Sequence, residues 1–279
     1  MLAGLCSGLV FAQSSPTPLA NGQTVLRVCQ DPNNMPFSNM RGEGIENQLA
    51  QLLAQALGVS VTYYSFPQRM GFIRNTLRYK LPSEDFPCDI VMGVPSGFDQ
   101  VATTAPYYRS SYALVFPMGI GLDQVHTTQD FLKLDASVLR QLRIGVYDRS
   151  PGSAWLGHHG LQDSGVPYKM LNADPEQYPG EIIERGLSQR QIDVALVWGP
   201  LATYFAKRVK SPVLRVVVMR SEPGLTLEFD MAMGVRHGEA AWKAQIEALL
   251  KTHQAQILAL LKSFDVPVLE LPHANPAQH

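Results

Sequence analysis

The sequence predicts an α/β protein made of two similar units in series. Each is a mostly parallel sheet flanked by helices, with a cleft between the two lobes. Three observations carry this reading. Short apolar runs alternate with stretches of helical spacing along nearly the whole chain. Two of the runs, "DIVMGV" and "IDVALVW", are apolar almost throughout, as strands covered on both faces are. After "TTAPYYRSSYALVF" the alternation starts again.

Val25 to Cys29 reads as the first strand. In "GEGIENQLAQLLAQALG", Ile45, Leu49, Leu52, Leu53 and Leu57 recur at helical spacing, and Gly58 ends the run. "VSVTYYSF" is a second strand, "QRMGFIRNTLRYK" a second helix and Asp89 to Val94 a third strand. That order implies parallel pairing with right-handed crossovers. The second unit opens on the strand "LRIGVYD", which ends at the polar turn Arg149-Ser150-Pro151-Gly152. The short helix "PGEIIERGLSQRQ", the strand "IDVALVW", the helix "GPLATYFAKRV" and the strand "VLRVVVM" follow. A late strand, "LEFDMAMGVR", precedes a helical pattern carrying Trp242, Ile246, Leu249, Leu250, Ile257, Leu260 and Leu261. These last elements are surplus to the second unit and are free to complete the first. The expected division is 22–111 with 222–266 for one lobe, 112–221 for the other, and a polar tail at 267–279.

Composition narrows the function. The 279 residues are 46% hydrophobic, enough for the core of two units. A net charge of −1 offers no general attraction for nucleic acid or anionic membrane. No apolar run approaches the ~20 residues of a membrane span. The first 12 residues read as a signal peptide, with an apolar stretch from Leu2 and a small residue, Ala12, at the cleavage position. No basic residue precedes that stretch, and Leu5 before Cys6 spoils a lipoprotein box. Export to the periplasm is the expectation. It would leave Cys29 and Cys88, a candidate disulfide pair. Strand geometry opposes the bridge: an offset of four residues between parallel neighbours is ~13 Å, while a bridge needs Cα atoms within ~7 Å. A loop bending back before Cys88 would allow it, so the pair stays open at this point.

The local sequences carry a family resemblance over nearly all of the mature chain. The order of elements resembles periplasmic solute-binding proteins of type II, with two hinge strands, the kind that binds amino acids. "DPNNMPFSN", "GEGIEN", "PQRMGFIRNTL", "CDIVMGVP", "TTAPYYRSSY" and "VWGPLATYFA" together resemble one branch. Its members are substrate-binding-like proteins associated with quinoprotein alcohol dehydrogenases, including the J-type accessory proteins encoded beside methanol dehydrogenases. The resemblance implies a periplasmic partner of a pyrroloquinoline quinone (PQQ)-dependent alcohol or methanol dehydrogenase, without a cofactor of its own and acting as a monomer. Amino-acid binders hold the ligand carboxylate with an arginine after the third strand and the ammonium with an aspartate after the second-lobe strand. Here Gly97 and Trp198 fall at those places.

In open parallel sheets, ligands sit beyond the carboxyl ends of the strands. The first strand ends on Asp31, Asn33 and Asn34 between two prolines, with Phe37 among them, and this loop is expected to form one lip of the cleft. The candidate cleft residues are Asp31, Asn33, Phe37, Arg69, Phe72, Pro95, Tyr107, Tyr108, Ser150 and Trp198. Each has a plainer reading. One of Asp31, Asn33 and Asn34 is expected to cap the turn, Arg69 to be solvated, and the aromatics to pack in the core. Trp198, at the end of a buried strand, is the aromatic whose position favours the cleft. Ser150 opens a helix whose N-terminus can hold an anion. Glu43 and Glu46 start a helix, where acids favour the dipole. His158 and His159 point apart if extended. No nucleophile, metal set or phosphate loop is evident, so a binding protein is expected, not an enzyme. Its role would be maturation or activation of the dehydrogenase, with a transporter's solute receptor or a metabolite sensor, taking a small ligand that is not an amino acid, as the alternative.

Overall fold

The computed structural model describes residues 18–68, 71–169 and 176–271. The expected signal peptide, Arg69 and the end of the tail lie outside the described residues. The elements run β1 (Leu26–Gln30), β2 (Asn33–Asn34), β3 (Ser38–Asn39), α1 (Ile45–Leu57), β4 (Val61–Ser65), α2 (Phe72–Asn75), β5 (Ile90–Pro95), β6 (Ala102–Thr103) and β7 (Tyr108–Pro117). They continue with α3 (Thr128–Leu132), α4 (Ala136–Gln141), β8 (Ile144–Tyr147), α5 (Pro151–His158), β9 (Gly165–Tyr168) and a π-helical turn, Ile182–Leu187. Last come β10 (Val194–Trp198), α6 (Gly199–Arg208), β11 (Leu214–Val218), β12 (Glu228–Val235), α7 (Ala240–Thr252) and α8 (Gln254–Ser263).

The strands join in the order β4-β1-β5-β12-β7-β10-β8-β9. β1 is parallel to both β4 and β5, and β8 is parallel to both β10 and β9, as the alternating sequence requires. β7 belongs to both halves. Its first residues pair antiparallel with β12, Met231 opposite Tyr108. Its later ones pair with β10 on one edge and β11 on the other. The chain returns to the first half between β11 and β12. There the buried Ser111 hydroxyl donates to Met219 O at 2.8 Å and Leu227 O at 3.2 Å, tying the outgoing and returning segments together.

Trp242, Ile246, Leu250, Ile257 and Leu261 pack with Ile45, Leu49 and Leu53 of α1 in one core cluster. The long helical pattern divides into α7 and α8 at His253. The predicted second helix shrinks to the four residues of α2: Gly71 precedes it at φ 73°, and Thr76 leaves helical geometry while its hydroxyl donates to Phe72 O. α1 ends as read, on Gly58 at φ 68°, a left-handed position that favours glycine. Among the described residues no helix is long and apolar enough to cross a membrane.

Cys29 and Cys88 are bridged, with Cα atoms 5.3 Å apart. The strand-offset objection fails because Cys88 is not in the strand. β5 begins at Ile90, opposite Val28, and the chain before it folds back toward Cys29. Beside the bridge, Asp89 is 1% exposed and meets two arginines. Arg27 donates to it from Nε at 2.6 Å and from a terminal nitrogen at 2.8 Å, and Arg236 donates from the end of β12.

Two stability predictions follow from these contacts. The bridge closes a sequence separation of 59 residues, so a Cys29→Ser/Cys88→Ser variant should lose about 4 kcal/mol in urea unfolding. Asp89→Asn takes from Arg27 and Arg236 the carboxylate they share, while each keeps a further partner, and should lose about 1.5–3 kcal/mol. A loss below 1 kcal/mol in either melt would show that the contact is dispensable.

Candidate functional site

The cleft is built at the carboxyl ends of β1, β5 and β10. Two cavities open there, of about 320 and 410 Å³. They share Asn34, Phe37 and Gln68, so the loop after β1 forms the wall between them. The loop is rigid for local reasons. Asp31 accepts the Asn33 N–H at 2.8 Å and the Gln68 N–H at 2.6 Å, and Asn34 donates to the Gln68 side chain at 2.9 Å. β2 and β3 pair across the loop, and the Phe37 N–H reaches Asn34 O at 2.8 Å. Asp31 is therefore the turn-capping residue of the three. Asn33 is exposed at the lip of the first cavity.

The predicted residues divide. Asp31 and Asn33 line the first cavity, Phe37 lines both, and Pro95 and Trp198 line the second. Phe72, Tyr107, Tyr108 and Ser150 line neither. Phe72 is buried with Cys29, Leu77 and Cys88, because α2 turns its short apolar face onto the disulfide. Tyr107 and Tyr108 are core residues, 1% and 3% exposed, packed with Ile45 and Met92. Ser150 is spent as the N-cap of α5: it accepts the Ser153 N–H at 3.2 Å and donates to Tyr147 O at 2.6 Å. Arg69 lies outside the described residues.

Among the residues of the second cavity that sequence reasoning missed are Glu46, Tyr112, Phe229 and Met231. Tyr112 stands opposite Trp198 across the β7–β10 pair. Its ring lies 5.6 Å from Trp198 and 6.4 Å from Phe229, and Trp198 lies 5.9 Å from Phe229, every pair edge-on. Glu46 sits in the first turn of α1, where the helix dipole favours its anion. Burial wins: with the Asp31 carboxylate adding to it, burial pushes the Glu46 carboxyl up to about 8. Gly93 makes room for this group. It has φ +65°, and a Cβ there would stand 2.5 Å from Glu46 Oε1.

The cleft itself offers no metal set among the described residues, but one exists elsewhere. His158 and His159 end a helix instead of lying in an extended loop, and their ligand atoms and a Glu222 oxygen all lie within 4.8 Å of one another. His159 Nε2 already meets Glu222 at 2.8 Å, and the Trp155 indole donates to the same carboxylate at 2.9 Å. The cluster thus anchors α5 to the returning segment.

Comparison with known proteins now places the chain. No family model matches it. The periplasmic binding protein XoxJ of Methylobacterium extorquens AM1 is 34% identical, superposes with a TM-score of 0.69, and the match covers 88% of this chain and 100% of that one. The chain belongs to the MoxJ-like periplasmic binding proteins. Protein MoxJ of Methylorubrum extorquens is 29% identical over 88% of this chain and 81% of its own length. MxaJ from Methlophaga aminisulfidivorans MPT is 25% identical, with a TM-score of 0.72 over 88% of this chain and all of that one. The MoxJ-like fold, two sheet regions sharing a strand with a cleft at their strand ends, is the one described above.

The Glu46 carboxyl makes a testable pH dependence. Folded, it keeps its proton up to about pH 8; unfolded, it releases it near 4.5. Between those values the folded state binds more protons, so stability falls as pH rises through this window and levels off above it. Glu46→Gln should remove that slope and leave the variant more stable than wild type at pH 8.5. Parallel slopes for the two proteins in urea melts from pH 5 to 9 would show that Glu46 titrates normally.

Proposed function

We propose that this protein is a periplasmic, non-enzymatic binding protein that assists maturation or activation of a PQQ-dependent alcohol (methanol) dehydrogenase by holding a segment of it in the cleft. The lobes that grip it would be 22–111 with 222–266, and 112–221. The carrying observation is the composition of the cleft. Its second cavity is walled by Trp198, Tyr112, Phe229, Phe37 and Met231. At the places where an amino-acid receptor keeps an arginine and an aspartate, the chain has Gly97 and Trp198. A free amino acid would bury its carboxylate there without a partner, at a cost of several kcal/mol. Aromatic walls instead suit apolar side chains of a protein segment. Family membership and the resemblance to dehydrogenase-associated proteins support the choice of partner. The cavity sizes also fit a small uncharged or singly charged molecule, which keeps a solute receptor as the second reading.

Affinity capture of the tagged mature protein from periplasmic extract, with mass spectrometry of the protein and small-molecule fractions, separates the two. The expected result is a quinoprotein dehydrogenase at near-stoichiometric recovery. Trp198→Ala should reduce that recovery at least tenfold, since truncating a central buried tryptophan removes 2 kcal/mol or more. Recovery of a lone protein with a bound solute would make it a receptor, and undiminished capture by the variant would move the contact off the cleft.

A further inference from the structure

Among the described residues, the second cavity is lined by an acid, Glu46, and by no basic side chain. We propose that it binds an alkylammonium group, held between the Glu46 carboxylate and the rings of Trp198, Tyr112 and Phe229. The planes of these rings are inclined to one another by 64°, 63° and 68°, so they form a corner and not a flat stack. A cation set in such a corner meets more than one aromatic surface, and tryptophan attracts it best. Phe37 and Met231 close the walls with apolar atoms. The Gln68 side-chain oxygen already accepts from Asn34 Nδ2 at 2.9 Å. A methylated or alkyl-substituted ammonium fits this better than a strongly hydrated one.

Glu46 supplies the countercharge from α1. This is a different element from the two strand ends that carry the charges of amino-acid receptors. No basic side chain among the described residues is paired with it, and its Oε1 packs close against Gly93, where a Cβ would stand 2.5 Å away. The groups that face it are Asp31 after β1 and Tyr107 and Tyr108 at the start of β7. Burial keeps both phenols neutral throughout the useful pH range. Among the described residues the site therefore carries no positive group to be displaced. An arriving cation expels the carboxyl proton instead, and binding releases that proton below about pH 8.

Two sources carry this chemistry: a free methylated amine, and a lysine side chain on a partner's segment. The inference rests on the cleft as the binding surface, the reading given above, but not on the dehydrogenase as partner. The test contains no partner. Calorimetric titration of the mature chain with choline, and with its neutral carbon isostere 3,3-dimethylbutan-1-ol, is run at pH 6, 7.5 and 9. Nα-acetyl-lysine methylamide and its Nε-acetylated form make a second pair. At least one cation should bind tenfold or more tightly than its neutral counterpart. Its affinity should rise roughly a hundredfold from pH 6 to pH 9, because two units of the carboxyl titration lie in that range. The neutral counterpart should show no such rise. Glu46→Gln should abolish the preference; the wild-type pH profile carries the test if that variant does not fold. Preference for choline points to a free amine and preference for the lysine derivative to a partner segment, and either supports the site. Cations and neutral counterparts binding equally, or a cation affinity indifferent to pH, would overturn it. A failed dehydrogenase capture alongside a successful titration would remove the partner reading and leave the cation site standing.

Discussion

The first half of the molecule depends on one buried carboxylate. Asp89 lies where β5 begins, almost without solvent, and holds Arg27 from β1 and Arg236 from the end of β12. Both arginines find further partners: Arg236 donates to Cys88 O at 2.6 Å and meets Glu239, and its guanidinium lies 4.1 Å over the Phe86 ring. A charge with so little water is tolerable only when fully paired. The pairing fixes three strands in register at one end of the sheet. Because strands are stiff, it also fixes what emerges at the other end: the Asp31 loop after β1, Gly93 and Pro95 on β5, and Phe229 and Met231 on β12. The cleft floor is set some distance away by a contact that never touches a ligand.

Within that frame, Glu46 shows two physical effects opposed at one residue. The N-terminus of α1 stabilises an anion by typically 0.3–1 kcal/mol, while desolvation and the neighbouring Asp31 carboxylate act against it. The rise of its carboxyl to about 8 shows that burial is the larger effect here. The backbone adapts as well. Gly93 takes a left-handed conformation, and any side chain there would run into the carboxylate. A protein needing only a sealed apolar floor would gain by putting a leucine at 46.

Much of the fold was legible because it is periodic. The parallel strands, α1 and the buried face of the late helices follow from apolar spacing, and Gly58 ends α1 as read. α2 was not legible: its helical spacing is cut short by a left-handed Gly71 and by a Thr76 that bonds back to Phe72 O, both local events. Of the cleft, residues at strand ends were found by position, namely Asp31, Asn33, Phe37, Pro95 and Trp198. Tyr107 and Tyr108 looked alike to Trp198 in type, but they enter β7 on the side that packs against α1, which only the assembled sheet decides. Phe229 and Tyr112 were missed for the converse reason. They reach the cleft because β12 returns beside β7, a contact between residues more than a hundred positions apart. Glu46 was rightly read as an acid at the start of α1, and its place in the cavity was missed, since an acid in a first helical turn already has a sufficient local explanation.

The replacement of two charged anchors by a glycine and a tryptophan changes what the cleft rejects as well as what it accepts. A receptor for a zwitterion needs opposite charges at a fixed separation, and each pays for the desolvation of its mate. Among the described residues of the second cavity, a ligand carboxylate would meet aromatic walls and Glu46 and no cation. Like charges in an apolar site drive one of them to protonate, which here means further protonation of a group already poised near neutrality. At the proposed site, zwitterions and anions would be disfavoured by the same atoms that favour a cationic or neutral group. The proposed site would discriminate on the sign of charge before it discriminates on shape, and a segment or solute presenting an ammonium on an apolar stem satisfies both conditions.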